Sequence, residues 1–194
     1  MRTNKRRILS GFAVIGATIG CGTGLAVATG TFSTPSPAPT AQAVPQQLVD
    51  HFAIFRSGPS TEAEAAASAL RNFASGANEQ FGLNVALARR AANSKSLPFW
   101  VVPGTAGICI FRGDTGSGVC TSIANAMAGN LQLAVGSTVF GLAPDGNPAV
   151  AVHNADGSTE KVAVQQNAYV IEHPGAKSVD VVDGSGNVQS IEVP

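Results

Sequence analysis

Residues 8–30, ILSGFAVIGATIGCGTGLAVATG, carry no charge over 23 positions and come directly after Arg2, Lys5, Arg6 and Arg7. No other feature constrains the chain as strongly. As a helix with 1.5 Å rise per residue the run would reach about 34 Å, enough for a hydrocarbon core of ~30 Å. The cationic cluster is held on the cytoplasmic side, so the chain beyond the run is delivered outside. The expectation is a single-pass cell-membrane protein with its C-terminal head outside.

The strength of retention is a separate question. Only Ile8, Leu9, Phe12, Val14, Ile15, Ile19, Leu25 and Val27 are strongly apolar, and glycines dilute the run. At about −0.3 to −0.6 kcal/mol each, they supply only a few kcal/mol of insertion drive. Ala26-Val27-Ala28 offers signal peptidase a small-x-small cleavage pattern ending at Ala28, which would release a secreted head. Thr18-Ile19-Gly20-Cys21 loosely resembles a lipobox, making Cys21 a candidate for lipidation, although Thr18 stands where Leu is usual. Gly16, Gly20 and Gly24 form a small-residue face through which two membrane helices could approach closely. Glycine is also simply common in export segments. The order of expectation is anchor, cleaved signal, lipoprotein.

Residues 31–45, TFSTPSPAPTAQAVP, have no charge and cannot build a core, so they read as an extended spacer. Beyond it the pattern is helical. In QQLVDHFAIF, Leu48, Val49, Phe52 and Phe55 recur at helical spacing, predicting one helix up to the break at Ser57-Gly58-Pro59. Thr61 and Glu64 have the spacing of a capping box before an alanine-rich helix. NVALARRAA predicts a third helix capped by Asn84.

From residue 98 the chain changes character. FWVVPG, ICIFRG, STVFGLAP, AVAVHN, STEKVAVQQ, AYVIEHP, KSVDVVD and NVQSIEV are short strand-like runs separated by turn signals such as NADG and DGSGN. TSIANAMAG interrupts them as one short helix, capped by Thr121 or Ser122 and stopped by Gly129. The expected fold class is α+β: an anchor or signal helix over 1–30, a linker over 31–45, helices over 46–97, and an antiparallel, sandwich-like part over 98–194.

Charge and cysteines narrow the function classes. Past the anchor stand eight Lys/Arg against twelve Asp/Glu, with no basic cluster of the kind a nucleic-acid surface needs. Cys109 and Cys120, eleven apart in an exported chain, predict a disulfide across the arms of a hairpin-like loop. Neither a close C-x-x-C spacing nor a neighbouring histidine supports a metal or redox reading of that pair.

The segments HFAIFR (51–56), LARRAA (87–92), WVVPG (100–104), GLAPDG (141–146) and NAYVIEHPG (167–175) carry a resemblance. In this order they look like a recurrent family of uncharacterised actinobacterial exported or membrane-anchored proteins. The resemblance spans most of residues 45–194. It implies extracytoplasmic placement and no catalytic residue to carry over.

No catalytic motif stands out. His51, His153 and His173 lie in separate elements, without H-x-x-x-H spacing. No G-x-S-x-G elbow occurs. Gly104-Thr105-Ala106-Gly107 lacks the G-K-[ST] ending of a phosphate loop and reads as a strand-to-strand turn. Asp183-Gly184-Ser185-Gly186-Asn187 has the oxygen ligands of a calcium loop without its later acid, and reads as a hairpin turn. Asp145 and Asp156 also precede glycines in turns. Arg112-Gly113-Asp114 spells an adhesion tripeptide with little specificity. Glu62 and Glu64 suit a helix start, and Phe99 and Trp100 suit a core strand. No catalytic, cofactor or metal residue is assigned. The expected function is therefore a membrane-tethered, non-catalytic binding or structural domain with an envelope-protein or cell-wall partner. The alternative is an exported enzyme whose site assembles from scattered His and Asp residues, such as His51 with the turn aspartates.

Overall fold

The computed structural model describes residues 43–58, 60, 62, 67–68, 70, 75–91, 99–172 and 175–193. The helices within them are short: α1 (Gln46–His51), α2 (Ser75–Phe81) and α3 (Ile123–Met127). The strands are β1 (Arg89–Arg90), β2 (Phe99–Pro103), β3 (Gly107–Arg112), β4 (Gly118–Ser122), β5 (Gln132–Val135) and β6 (Thr138–Leu142). They continue with β7 (Ala149–Asn154), β8 (Thr159–Ala163), β9 (Ala168–Ile171), β10 (Ala176–Val182) and β11 (Val188–Glu192). They form three antiparallel sheets: sheet A, β1-β2-β3-β4; sheet B, β5-β6-β9; and sheet C, β11-β10-β7-β8. Few short helices and a mainly antiparallel β part agree with the α+β expectation.

Sheet B is buried on both faces, and the two-residue period of its strands assigns each side chain to one core. Phe140 and Leu142 of β6 join Phe99, Val101, Ile108 and Ile110 of sheet A, together with Leu48 and Phe52 of the α1 region. Their neighbour Val139 points the other way, with Tyr169 and Ile171, against Val150, Val152, Val179 and Val181 of sheet C. A third cluster covers the far face of sheet A, where Trp100, Val102 and Phe111 meet Ala88. Phe99 and Trp100 are thus core residues on opposite faces of β2. Each such buried side chain contributes roughly 1.5–3 kcal/mol of transfer free energy.

Two helical expectations give way to tertiary hydrogen bonds. The predicted helix over QQLVDHFAIF stops at His51; Phe52 is extended at φ −134°, and Ala53–Phe55 is a separate 3₁₀ turn. The N–H of Ala53 goes to Asp145 Oδ1 at 2.9 Å and that of Ile54 to Asn167 Oδ1 at 3.0 Å. Distant side chains thereby replace the intrahelical acceptors. The predicted third helix is also corrected. Asn84 does cap, accepting from the Ala86 N–H at 3.1 Å, but only a 3₁₀ turn over Val85–Leu87 comes after it. Arg89 and Arg90 then pair with Val101 and Trp100 as a strand. That pairing carries Ala88 into the core, which outweighs local helix propensity.

Other local readings are met. Ser122 caps α3, accepting from the Asn125 N–H, and Gly129 ends it at φ +82°. NADG and DGSGN close the β7–β8 and β10–β11 hairpins. Thr61 and Glu64 lie outside the described residues.

Candidate functional site

The candidate site lies on the outer face of sheet C and is set by strand register. Inward Val150, Val152, Val179 and Val181 leave Ala149, Ala151 and His153 of β7 facing outward. Ser178, Asp180 and Val182 of β10 share that face. The register shifts between Ala176 and Ser178, a bulge at Lys177. Ala176 can therefore pack against the core although it has the same parity as Ser178 and Asp180. The bulge sets Ala176 apart from that face, while Ser178 and Asp180 stay on it with His153.

A hydrogen-bonded row then crosses all four strands. Thr159 Oγ1 on β8 lies 3.1 Å from His153 Nδ1 on β7, and His153 Nε2 lies 2.8 Å from Asp180 Oδ2 on β10. Asp180 also hydrogen-bonds Ser190 on β11. An ionised carboxylate only accepts, so Nε2–H donates to Asp180; in the neutral ring Nδ1 then accepts from the Thr159 hydroxyl. The His153 bond, aided by Ser190, holds the Asp180 carboxyl below the usual carboxylate range.

Beside this row the face is concave. A groove of about 310 Å³ opens over Ala149 and Ala151 and is flanked by Lys161, Asp180, Val182 and Val188. Two alanine side chains leave the strand backbone close to solvent, and their larger neighbours form walls. Val188 is 66% exposed, and it is the exposed large hydrophobic residue among those described. Lys161 makes no ion pair with a described carboxylate, so its ammonium is free to meet a ligand.

The residues singled out in sequence take varied places. Cys109 and Cys120 stand directly opposite each other on β3 and β4 and are joined as a disulfide. Gly16, Gly20, Gly24, Cys21, Ala28, Glu64 and His173 lie outside the described residues. Glu62 pairs with Arg90 at 2.8 Å on the surface. Arg112 and Asp114 of the adhesion-like tripeptide bind each other through two 2.6 Å contacts. That pairing, led by the hydrogen bonds, lowers the Asp114 pKa and raises that of Arg112. Gly104 and Gly107 make room for α2: a Cβ on either would lie 2.2 Å from the Phe81 carbonyl oxygen or 2.3 Å from its ring. The GTAG stretch is a packed turn.

The turn aspartates serve their own loops. Asp183 Oδ1 accepts from the N–H groups of Asn187 and Ser185 at 2.9 and 2.8 Å, and these bonds lower its pKa. Asp156 is lowered likewise by the Ser158 hydroxyl and N–H. Asp145 has wider reach. It pairs with Arg56 and accepts from the Ala53 N–H and from Asn167 Nδ2, both at 2.9 Å. HFAIFR, GLAPDG and NAYVIEHPG therefore converge on one node that docks the α1 region onto the β-rich body. His51 belongs there too, its carbonyl accepting from the Asp145 N–H at 2.8 Å. It does not meet His153. Among the described residues no group of three or more His, Cys, Asp or Glu is arranged to hold a metal.

Sequence reasoning passed over Thr159, Asp180 and Ser190. Alternation in AVAVHN and KSVDVVD marks His153 and Asp180 as outward positions, but their pairing depends on a register that neither strand encodes alone.

Comparison with protein-family models, curated proteins and solved structures finds no match to this chain.

Proposed function

We propose that the chain is an extracytoplasmic, membrane-tethered binding domain that takes its ligand on the outer face of sheet C. The observation that carries this reading is the alanine-floored groove, flanked by the Lys161 ammonium and by a carboxylate that His153 and Ser190 hold in place. Small-molecule sites are concave and mostly apolar, with a few fixed polar groups, and about 310 Å³ is near the lower end of their range. The disulfide suits the oxidising side of a membrane. The uncharged run after the basic start supplies the tether and the orientation. Among the described residues no helix is long and apolar enough to cross a membrane. The partner is an envelope protein or cell-wall component.

Retention of the full-length chain on isolated envelope material tests this. Ala151→Phe, which fills the groove from its floor, is expected to abolish retention while a surface change at Glu62 does not. Equal retention of the wild type and Ala151→Phe rejects the groove as the binding surface.

A second reading is favoured by one specific arrangement. Thr159, His153 and Asp180 stand in the order hydroxyl, imidazole, carboxylate, with the ring tautomer that lets His153 accept the hydroxyl proton. An exported hydrolase would use Thr159 as nucleophile, His153 as base and Asp180 to orient the ring. Turnover of p-nitrophenyl acetate by the full chain, lost in Thr159→Val and His153→Phe, would establish it. Turnover no faster than buffer dismisses it.

A further inference from the structure

We propose that β11 is an interface strand, pairing antiparallel with β11 of a second copy of this chain so that two sheets C become one. β11 ends its sheet, with β10 on one side and no described strand on the other. Two hydrogen bonds at its ends fix the phase of its main chain. The Asp183 N–H donates to the Asn187 carbonyl, and the Val193 N–H to the Lys177 carbonyl, both at 2.8 Å. In an antiparallel pair such bonds recur at every second residue. Gln189 and Ile191 therefore turn their main-chain groups to β10, opposite Val181 and Val179, while Val188, Ser190 and Glu192 turn theirs outward. All three outward residues are exposed. Their N–H and C=O groups stand in a row at the open edge of the sheet, which is the chemistry that an extended backbone meets.

Self-complementarity selects the occupant. A two-fold axis beside Ser190 sets Ser190 opposite Ser190 of the second copy and Val188 opposite its Glu192, so every outward N–H meets an outward C=O. Slipping the pairing by two residues leaves one residue of each row unpaired. Centring it on Glu192 sets like charges directly opposite and asks Pro194 to donate an N–H it does not have. In the Ser190 register the two Glu192 positions stand about 14 Å apart along the strands. Val188, the exposed large hydrophobic residue, gains the aliphatic stem of a glutamate as its neighbour. Edge strands that stay single are usually guarded by lysine, proline or a bulge. The opposite edge of sheet C follows that rule: bonds from the Asn154 N–H to Ser158 and from the Val164 N–H to Pro148 put Thr159, Lys161 and Ala163 in its outward row, with the lysine at the centre. β11 has no lysine, no proline and no register shift, and its centre is a serine small enough to face its own copy. The contact is small, so the dimer is weak and reversible. It leaves the outer face of both sheets open and does not depend on the groove.

The test is cysteine trapping in the full chain, purified in detergent with Cys21→Ser as background. Facing residues of a hydrogen-bonded pair have Cα atoms about 5.5 Å apart, within reach of a disulfide. Oxidised with copper phenanthroline, Ser190→Cys should give covalent dimer about ten-fold more abundantly than Val188→Cys or Glu192→Cys alone, and mixing those two variants should restore it. Sedimentation of the wild type at concentrations up to about 1 mM should show a reversible dimer. Ser190→Pro removes the central outward N–H without touching a bond to β10, and should weaken that dimer about ten-fold. Ser190→Ala keeps the N–H and should leave it unchanged. Should Ser190→Pro fail to fold, the cysteine pattern alone decides. A dimer that survives folded Ser190→Pro, as one held by the Gly16, Gly20 and Gly24 face would, overturns the proposal. So does equal trapping of the three single cysteines, or a wild type that stays monomeric while Ser190→Cys traps nothing.

Discussion

Tyr169 lies across Gly141, its register partner on the neighbouring strand of sheet B, so closely that a Cβ on the glycine would sit 2.1 Å from the tyrosine Cζ. The ring is fully buried, and burial pushes its hydroxyl pKa up. Gln132 Nε2 donates to that hydroxyl at 2.9 Å. Gly141→Ala is therefore expected to cost about 3 kcal/mol by overpacking, read as a lower urea midpoint. Adding Tyr169→Leu should recover part of the loss, because both changes act on one contact. Additive losses would show that the two residues do not constrain each other.

The same tyrosine separates packing from hydrogen bonding. Tyr169→Phe keeps the ring but strands the buried Gln132 amide, whose Oε1 already lacks a partner. The expected cost is about 1–2 kcal/mol, and it should largely vanish on adding Gln132→Leu, which removes the stranded group. Chemical denaturation of the two single variants and the double variant measures it.

At the Asp145 node, Asp145→Ala removes acceptors from Arg56, the Ala53 N–H and Asn167 at once. A loss of about 2–3 kcal/mol is expected, as hydrogen bonds to charged groups are the stronger kind. Asn167 has φ +69°, where asparagine and glycine are tolerated. Asn167→Gly keeps the backbone accessible yet strands the Ile54 N–H and the Ala143 carbonyl, so it should still destabilise. Hydrogen exchange should then rise first in α1. Unchanged protection there would deny the node its docking role.

Removing the cross-strand disulfide through the double change Cys109→Ala and Cys120→Ala is expected to cost about 3 kcal/mol, and to lower Tm by roughly 10 °C. Reducing agent should lower the wild-type midpoint and leave that of the double variant alone. If the midpoints coincide without reductant, the bond does not stabilise the fold.

Asp180 gives stability a pH dependence of known sign. Its folded pKa lies below the ordinary value near 3.9, chiefly through His153. Its contribution is fully present above the ordinary value and fades as pH falls through the lower, folded one. Asp180→Asn should therefore destabilise at pH 7, with the difference from wild type closing progressively below about pH 4. Urea midpoints across that range would show it; a difference constant with pH would contradict it.

Read alone, the amino-acid sequence determined the features that depend on a few neighbouring residues. Ser122 and Gly129 bound α3, the turn aspartates close their hairpins, and Cys109 and Cys120 are the cysteines left to pair beyond the opening run. Each rests on backbone conformation or hydrogen bonds within a turn, or on the scarcity of a residue type. Tertiary structure alone decided where the helix breaks at Phe52, why Arg89 and Arg90 form a strand, and that His153 meets Asp180. Ala53 and Ile54 leave the helix because acceptors about a hundred residues away offer better partners, and His153 meets Asp180 because β7 and β10 pair in the register that sets Ser178 opposite His153. Period-two patterns tell which side chains share a face of one strand. Which strands lie side by side, and in what register, is decided by burial of the whole core, and the groove exists only in that arrangement.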